Sequence, residues 1–163
     1  MVIKFSRVCS FQGSLLMDQK HRVLILCTGN SARSQMAEAI VNHDLGNSWQ
    51  AFSAGTQPTG HVHPIAIKAL AETGIDHHGV SKSTDGFRGQ DFDVVITVCD
   101  DAAKNCPVWL GKGKRVHIGF PDPAKAKGTE EEQMVVFRQV RDDIRTRILA
   151  YLHSFPTGGK LPG

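Results

Sequence analysis

A chain of 163 residues, 40% apolar and 21% charged, is long enough to bury one substantial core and has the composition of an ordinary globular domain. Its formal net charge of +3 is slight and the lysines and arginines are scattered, which favours small anions weakly and argues against nucleic acid as a partner. Four cysteines (Cys9, Cys27, Cys99 and Cys106) are too few and too unevenly spaced for a secreted disulfide scaffold, and no apolar run nears the ~18 residues that span a bilayer, so reactive thiols in the reducing cytoplasm are expected, with no membrane partner.

Residues 1–20 read as a tail. Lys4 and Arg7 are present, but Ser10, Gln12, Gly13 and Ser14 interrupt any apolar signal-peptide core, and Met17 offers an alternative start. The catalytic domain is expected over 21–153, followed by a second tail over 154–163. Residues 22–26 form a short aliphatic run without alternation, the pattern of a fully buried strand. After a polar loop, a helix is predicted from about Gln35, with Met36, Ala37, Ile40 and Val41 on its apolar stripe and Leu45-Gly46 as its stop. A second strand is predicted over 50–54. Pro64 suits the first turn of a helix whose stripe is Ile65, Ala66, Ala69 and Leu70, with Gly74 beyond it. Residues 92–98, β-branched and aromatic, are the most strand-like run, and 115–118 are a shorter fourth candidate. Thr129 and Glu132 have capping-box spacing. Val136, Phe137, Val140, Ile144, Ile148 and Leu152 then stripe a long terminal helix that Pro156 ends. Strands alternating with helices imply an α/β fold, a single three-layer domain with a mostly parallel sheet and helices on both faces. Ligands of such sheets bind beyond the carboxyl ends of the strands.

Cys27-Thr28-Gly29-Asn30-Ser31-Ala32-Arg33-Ser34 lies between the first strand and the first helix. Backbone N–H groups of such a turn, converging at a helix N-terminus, make a cradle for a tetrahedral oxyanion. Arg33 adds a planar fork that binds two oxygens at once. The same field stabilises negative charge on the Cys27 sulfur, to which Ser34 can donate a hydrogen bond. Gly29 can take a positive φ, and the Asn30 side chain can hold the loop shape. The lack of Gly-Lys-Ser/Thr excludes a nucleotide P-loop. A buried, inert cysteine ending a core strand is the bland alternative.

The run CTGNSARSQMAEA resembles the active-site segment of the low-molecular-weight tyrosine phosphatase superfamily, and within it the thioredoxin-coupled arsenate reductases. The resemblance covers about residues 21–153 and implies a four-stranded parallel sheet with no organic cofactor. Some reductases of the family carry a further loop cysteine where this chain has Ala32. Cys99 and Cys106, in VITVCDDAAKNCPVW, read either as two core cysteines or as a redox relay; zinc is disfavoured because Cys-x2–4-Cys pairs are absent. The resemblance supports the relay, since the family's reductases carry two cysteines at this spacing after this strand. Seven residues of helix rise ~10.5 Å, whereas a disulfide needs Cα atoms within ~7 Å. A helix over 100–104 would therefore have to unwind for these thiols to bond.

Gly119-Phe120-Pro121-Asp122-Pro123-Ala124 holds an aspartate between two prolines that fix its backbone. A turn aspartate and a proton donor are equally good readings of the residues alone. The family's acid occupies a matching Asp-Pro-Ala, which implies that role for Asp122, with Asp100 and Asp101 as weaker candidates. His61, His63, His77 and His78 read as solvated loop residues. Asn30, Glu38, Ser53 and Asp85 resemble positions that bind potassium in some family reductases, with Glu38 otherwise an exposed helix residue.

The resemblance implies an arsenate reductase, and a monomer is expected. Cys27 attacks arsenate, Asp122 protonates the leaving oxygen, and Cys99 and Cys106 complete a relay reduced by thioredoxin. The alternatives are a phosphatase acting through a phosphocysteine, which needs neither Cys99 nor Cys106, and a non-catalytic anion-binding or phosphocarrier module. Tyr151 as the sole tyrosine leaves little material for a phosphotyrosine-stacking rim.

Overall fold

Seven residues with no polar alternation, His21–Cys27, form strand β1, and its last five are buried on both faces of the sheet. The protein is described by a computed structural model covering residues 19–99 and 109–156. Strand β2 spans Trp49–Gly55, β3 Val94–Cys99 and β4 Lys114–Phe120. They pair in the order β2-β1-β3-β4, all parallel, with Val23 of β1 opposite Ala51 on one side and Val94 on the other. The four predicted strands are therefore present in one sheet. The third starts later than expected, at Val94, although Asp93 still bonds through its backbone to Arg22 and Lys114 and its carboxylate accepts the Arg22 N–H at 2.7 Å. Phe92 turns instead into an aromatic cluster.

Alternate residues of β1 face opposite sides. Val23, Ile25 and Cys27 pack against all three α-helices: α1 (Arg33–Asp44), α2 (Pro64–Ala71) and α3 (Glu130–Ser154). Met36, Ile40, Leu70, Phe137, Ile144 and Ile148 fill this side with fully buried side chains. Leu24 and Leu26 face the other side, against Phe87, Phe92, Val95 and Trp109. Among the described residues that second face is covered by a 3-10 turn, Thr84–Phe87, rather than by an α-helix. Arg22 closes its edge, its guanidinium 4.9 and 4.7 Å from the Phe52 and Phe92 ring centres.

The helix ends follow their local chemistry. Pro64 opens α2, and His63 caps it by accepting the Ile65 N–H on Nδ1 at 3.2 Å. Gly74 takes φ +80° just beyond. Thr129 and Glu132 form the capping box of α3, with the Thr129 N–H donating to Glu132 at 2.7 Å. The buried stripe of α3 includes Met134 and Arg141, while Val136 is only half-buried because it lies one residue off the Phe137 face. Ion pairs join the helices: Arg145 grips Asp44 of α1 at 2.6 and 2.8 Å, and Arg138 and Arg141 share Glu72 at the end of α2. None of the described helices is long and apolar enough to cross a membrane.

Phe137 is fully buried against the sheet, with the His63 ring centre 4.8 Å from its own. Phe137→Ala should destabilise the fold by about 3–5 kcal/mol, the usual cost of emptying an aromatic core site. Urea unfolding would show this as a lower midpoint at unchanged slope.

Candidate active site

Parallel strands deliver their carboxyl ends to one edge, and β1 lies between β2 and β3, where the chain leaves in opposite directions. The loop after Cys27 turns at this crevice. Asn30 makes the turn with φ +46°, the only non-glycine residue in that region among the described residues. Asparagine tolerates this conformation better than most, and here its side chain is fully bonded. Its Oδ1 accepts the backbone N–H of Lys82 at 2.7 Å and Nε2 of Gln35 at 2.9 Å. A backbone N–H can only donate, so the amide orientation is fixed and Nδ2 faces the two serines. It donates to Ser34 Oγ and to Ser53 Oγ, each at 2.9 Å.

That orientation directs both hydroxyl protons outward. Ser53 donates to Glu38 Oε2. Ser34 Oγ lies 2.8 Å from Cys27 Sγ, and the Asn30 N–H donates to the same sulfur at 3.1 Å. Two donors thus converge on the Cys27 sulfur. Asn30, Ser34, Gln35 and Ser53 are all fully buried, so each lost bond would leave an unpaid desolvation cost.

The rim of the loop is held by backbone contacts from the segments after β2. Thr28 O accepts from Gln57 N at 2.9 Å, Gly29 O from Thr59 N at 3.0 Å, and Ser31 O from His63 N at 2.9 Å. The carbonyls therefore point outward, away from the concave side. Helix α1 begins at Arg33, earlier than expected, and its N-cap Ala32 has no side chain to satisfy the first-turn N–H groups. A bound anion can do so. Gly55 is required at the end of β2: a Cβ there would sit 2.4 Å from Thr28 O and 3.0 Å from Asn30 N.

Cys99, Phe120 and Asp122 reach the crevice from β3 and β4. Cys99 is buried, with its sulfur 3.8 Å from Thr28 Oγ1 and its backbone paired with Phe120. Arg33 donates from Nη1 to Phe120 O at 3.0 Å, and its Nη2 lies 3.4 Å from Asp122 Oδ2. Asp122 caps the short turn Pro123–Lys125, accepting Ala124 N on Oδ1 at 3.1 Å. Arg147 of α3 steadies this corner, with its guanidinium 4.7 Å from the Phe120 ring centre and a 3.0 Å bond to Gly119 O. Cys27, Thr28, Gly29, Asn30, Ser31, Ala32, Arg33, Ser34, Cys99 and Asp122 are thus gathered on one edge. Cys106 lies outside the described residues, as do Asp100, Asp101, Cys9 and the expected 100–104 helix.

Three contributors escaped the sequence reading. Gln35 reaches from Asn30 to Val80 O, also at 2.9 Å, and accepts from His77 Nε2 at 2.7 Å. Since the Gln35 amide nitrogen must face the Val80 carbonyl, its oxygen faces His77, which places the imidazole proton on Nε2. His77 and His63, read as solvated, are therefore a loop buttress and a helix cap. Lys82 is the third, donating from Nζ to Glu38 Oε2 at 3.2 Å and to Val80 O at 3.1 Å. No local periodicity marks these residues, because the contacts that bring them to the loop, His77 to Gln35, Gln35 to Val80 and Lys82 to Asn30, join segments remote in sequence.

Of the four residues that resemble potassium positions, three come together and Asp85 lies apart. Asn30, Ser53 and Glu38 meet, and the Glu38 side chain is only 16% exposed rather than solvated. Asn30, however, turns its NH₂ toward Ser53, and both its amide bonds on Oδ1 are taken. Asp85 is 68% exposed and pairs with Arg88 at 2.7 Å. The position beside Glu38 holds the Lys82 ammonium.

The family described as low molecular weight phosphotyrosine protein phosphatase matches residues 22–157. An arsenate reductase of Bacillus licheniformis is 47% identical over 133 residues, covering 79% of this chain and 93% of its own. Among solved structures, an arsenate reductase from Archaeoglobus fulgidus shares 30% identity at a TM-score of 0.64, over 81% of this chain and 99% of its own. A thioredoxin-dependent arsenate reductase from Corynebacterium glutamicum shares 27% identity at a TM-score of 0.53, over 83% of this chain and 63% of its own.

Two measurements probe this geometry. Gly55→Ala should push the loop outward and cost about 10²-fold in turnover, the penalty for misplacing a reacting group by about 1 Å, while circular dichroism stays native. Burial holds both His63 and His77 below the ordinary imidazole value of 6.5; His61 adds to the effect at His63, while Asp122 opposes it there and Glu38 opposes it at His77. In that window the unfolded chain binds more protons than the native one. The stability from these residues is therefore complete above about 6.5 and lost as pH falls through the lowered native values. Urea unfolding across that range should show the loss, and His77→Gln should flatten it.

Proposed function

The chain belongs to the low molecular weight phosphotyrosine protein phosphatase family, and on that premise we propose that it is an arsenate reductase working through a three-thiol relay. The observation that carries the reading is the second buried thiol at the mouth of the nucleophile loop, Cys99 beside Thr28. Hydrolysis of a phosphocysteine needs water there; a redox relay needs sulfur.

Arsenate is held by the inward-turned N–H groups of the loop and by Arg33, whose guanidinium is already positioned by Phe120 O and Asp122. The Cys27 thiolate attacks arsenic, an As–S bond forms and an As–O bond breaks. Asp122 donates its proton to the departing oxygen, which leaves as water. The Cys99 thiolate then attacks Cys27 Sγ. A disulfide forms, the As–S bonding pair stays on arsenic, and As(V) leaves as As(III) in arsenite. Cys106 attacks Cys99, releasing the Cys27 thiolate and leaving a Cys99–Cys106 disulfide. A dithiol of the thioredoxin type supplies the two electrons that reopen it, in keeping with the thioredoxin-dependent relative. No organic cofactor enters this scheme, and it suits a monomer in the reducing cytoplasm.

The test is arsenite release in the presence of thioredoxin, its reductase and a reduced nicotinamide donor. Cys27→Ser should abolish it. Cys99→Ser should block arsenite release yet leave any phosphatase activity intact, and Cys106→Ser should stop after one turnover with a Cys27–Cys99 disulfide. Asp122→Asn should lower kcat by about 10²–10⁴-fold, the range of a lost general acid. Wild-type protein that hydrolyses aryl phosphates but releases no arsenite would shift the assignment to a phosphatase. Binding of phosphate with neither activity would leave an anion-binding module.

A further inference from the structure

The residues that tie the loop to the sheet form one chain of alternating donors and acceptors. It runs from Cys27 through Ser34, Asn30 and Ser53 to the carboxylate of Glu38. The far end is a carboxylate with little contact with water, and an anion so placed calls for a balancing positive charge. An added monovalent cation is one way to do this, and the arrangement of ligands argues against it here. Two oxygens at that end, Glu38 Oε2 and Val80 O, are both bonded by Lys82 Nζ, whose side chain is 31% exposed. The same residue grips the other end of the Asn30 amide, its backbone N–H donating to Oδ1. Its carbonyl accepts from Gly55 N at 2.8 Å, at the position where the loop presses on β2.

We infer that Lys82 is a positioning residue for the nucleophile loop. It is a tethered cation that neutralises Glu38, and it makes the site independent of potassium. The inference rests on the reductase reading only for its turnover measurement. Anion binding to the loop supplies a second measurement that does not depend on it.

The experiment compares wild type, Lys82→Met and Lys82→Arg in potassium chloride and in tetramethylammonium chloride at equal ionic strength. KM and kcat for arsenate are measured, with the dissociation constant for inorganic phosphate as the probe of the loop alone. Wild type should respond less than about twofold to potassium in either measurement. Lys82→Met retains the backbone bonds and the aliphatic stem, and should raise the arsenate KM and the phosphate dissociation constant about tenfold, as expected when a buried carboxylate loses its charged partner. Potassium should recover most of this, because removing the ammonium exposes Glu38 Oε2 and Val80 O to a small cation. Lys82→Arg should remain close to wild type without potassium. Activation of wild type by potassium, or a Lys82→Met protein indistinguishable from wild type in both salts, would overturn the inference. So would a loss in Lys82→Met that Lys82→Arg shares and potassium does not repair. If no variant or wild type reduces arsenate but the phosphate constants follow this pattern, the reductase reading fails and the role of Lys82 stands.

Discussion

The bonded state of one asparagine amide governs the geometry of the whole site. Asn30 sits in a backbone region that costs most side chains energy, and it remains there because both amide hydrogens and both bonds on its oxygen are satisfied by buried groups. Two donors on the amide nitrogen mean that two serine hydroxyls must spend their own protons elsewhere. One proton goes toward the Cys27 sulfur and the other toward Glu38. The polarity of the network is therefore set at Asn30 and read out about 3 Å away at the nucleophile. A half-satisfied version would be worse than an apolar core, since every member is fully or largely removed from water.

The sheet supplies what this network cannot, a common edge. Because all four strands run parallel, Cys27, Gly55, Cys99 and Phe120 end on the same side with only local loops to separate them. The missing side chain of Gly55 lets Thr28 lie directly on β2. The end of β4 meets α3 through Arg147, so the longest helix fixes the acid loop while its apolar stripe covers the sheet. Structure and chemistry share these residues, and few substitutions at this edge will affect only one of them.

The two faces of the sheet have different work. One carries all three α-helices and most of the buried volume. The other, among the described residues, carries a small aromatic cluster, a 3-10 turn and Trp109, which lies just beyond the segment bearing Cys106. The helical face is held by ion pairs that bridge α1, α2 and α3, including Arg145 with Asp44 and Arg138 with Glu72.

Local sequence was enough for the elements and for the nucleophile loop. Unbroken aliphatic runs, Pro64, Gly74 and the Thr129–Glu132 pair each act through neighbours within a few residues, so their effect is visible in the chain itself. The spacing of Cys27 and Arg33 between strand and helix marked an oxyanion cradle for the same reason. Which polar residues would stand behind the cradle was not legible there. Gln35 lies five residues from Asn30, but His77 and Lys82 bear on this network only because residues 77–82 return to the end of β2 across long separations, and Asp85, near Lys82 in sequence, turns outward to Arg88. Sequence by itself placed a thiol in a strand-to-helix loop of the shape that cradles a tetrahedral anion. Only the tertiary structure decided that a lysine ammonium sits beside Glu38, because proximity between remote residues is created by the crossing of the chain and has no local pattern.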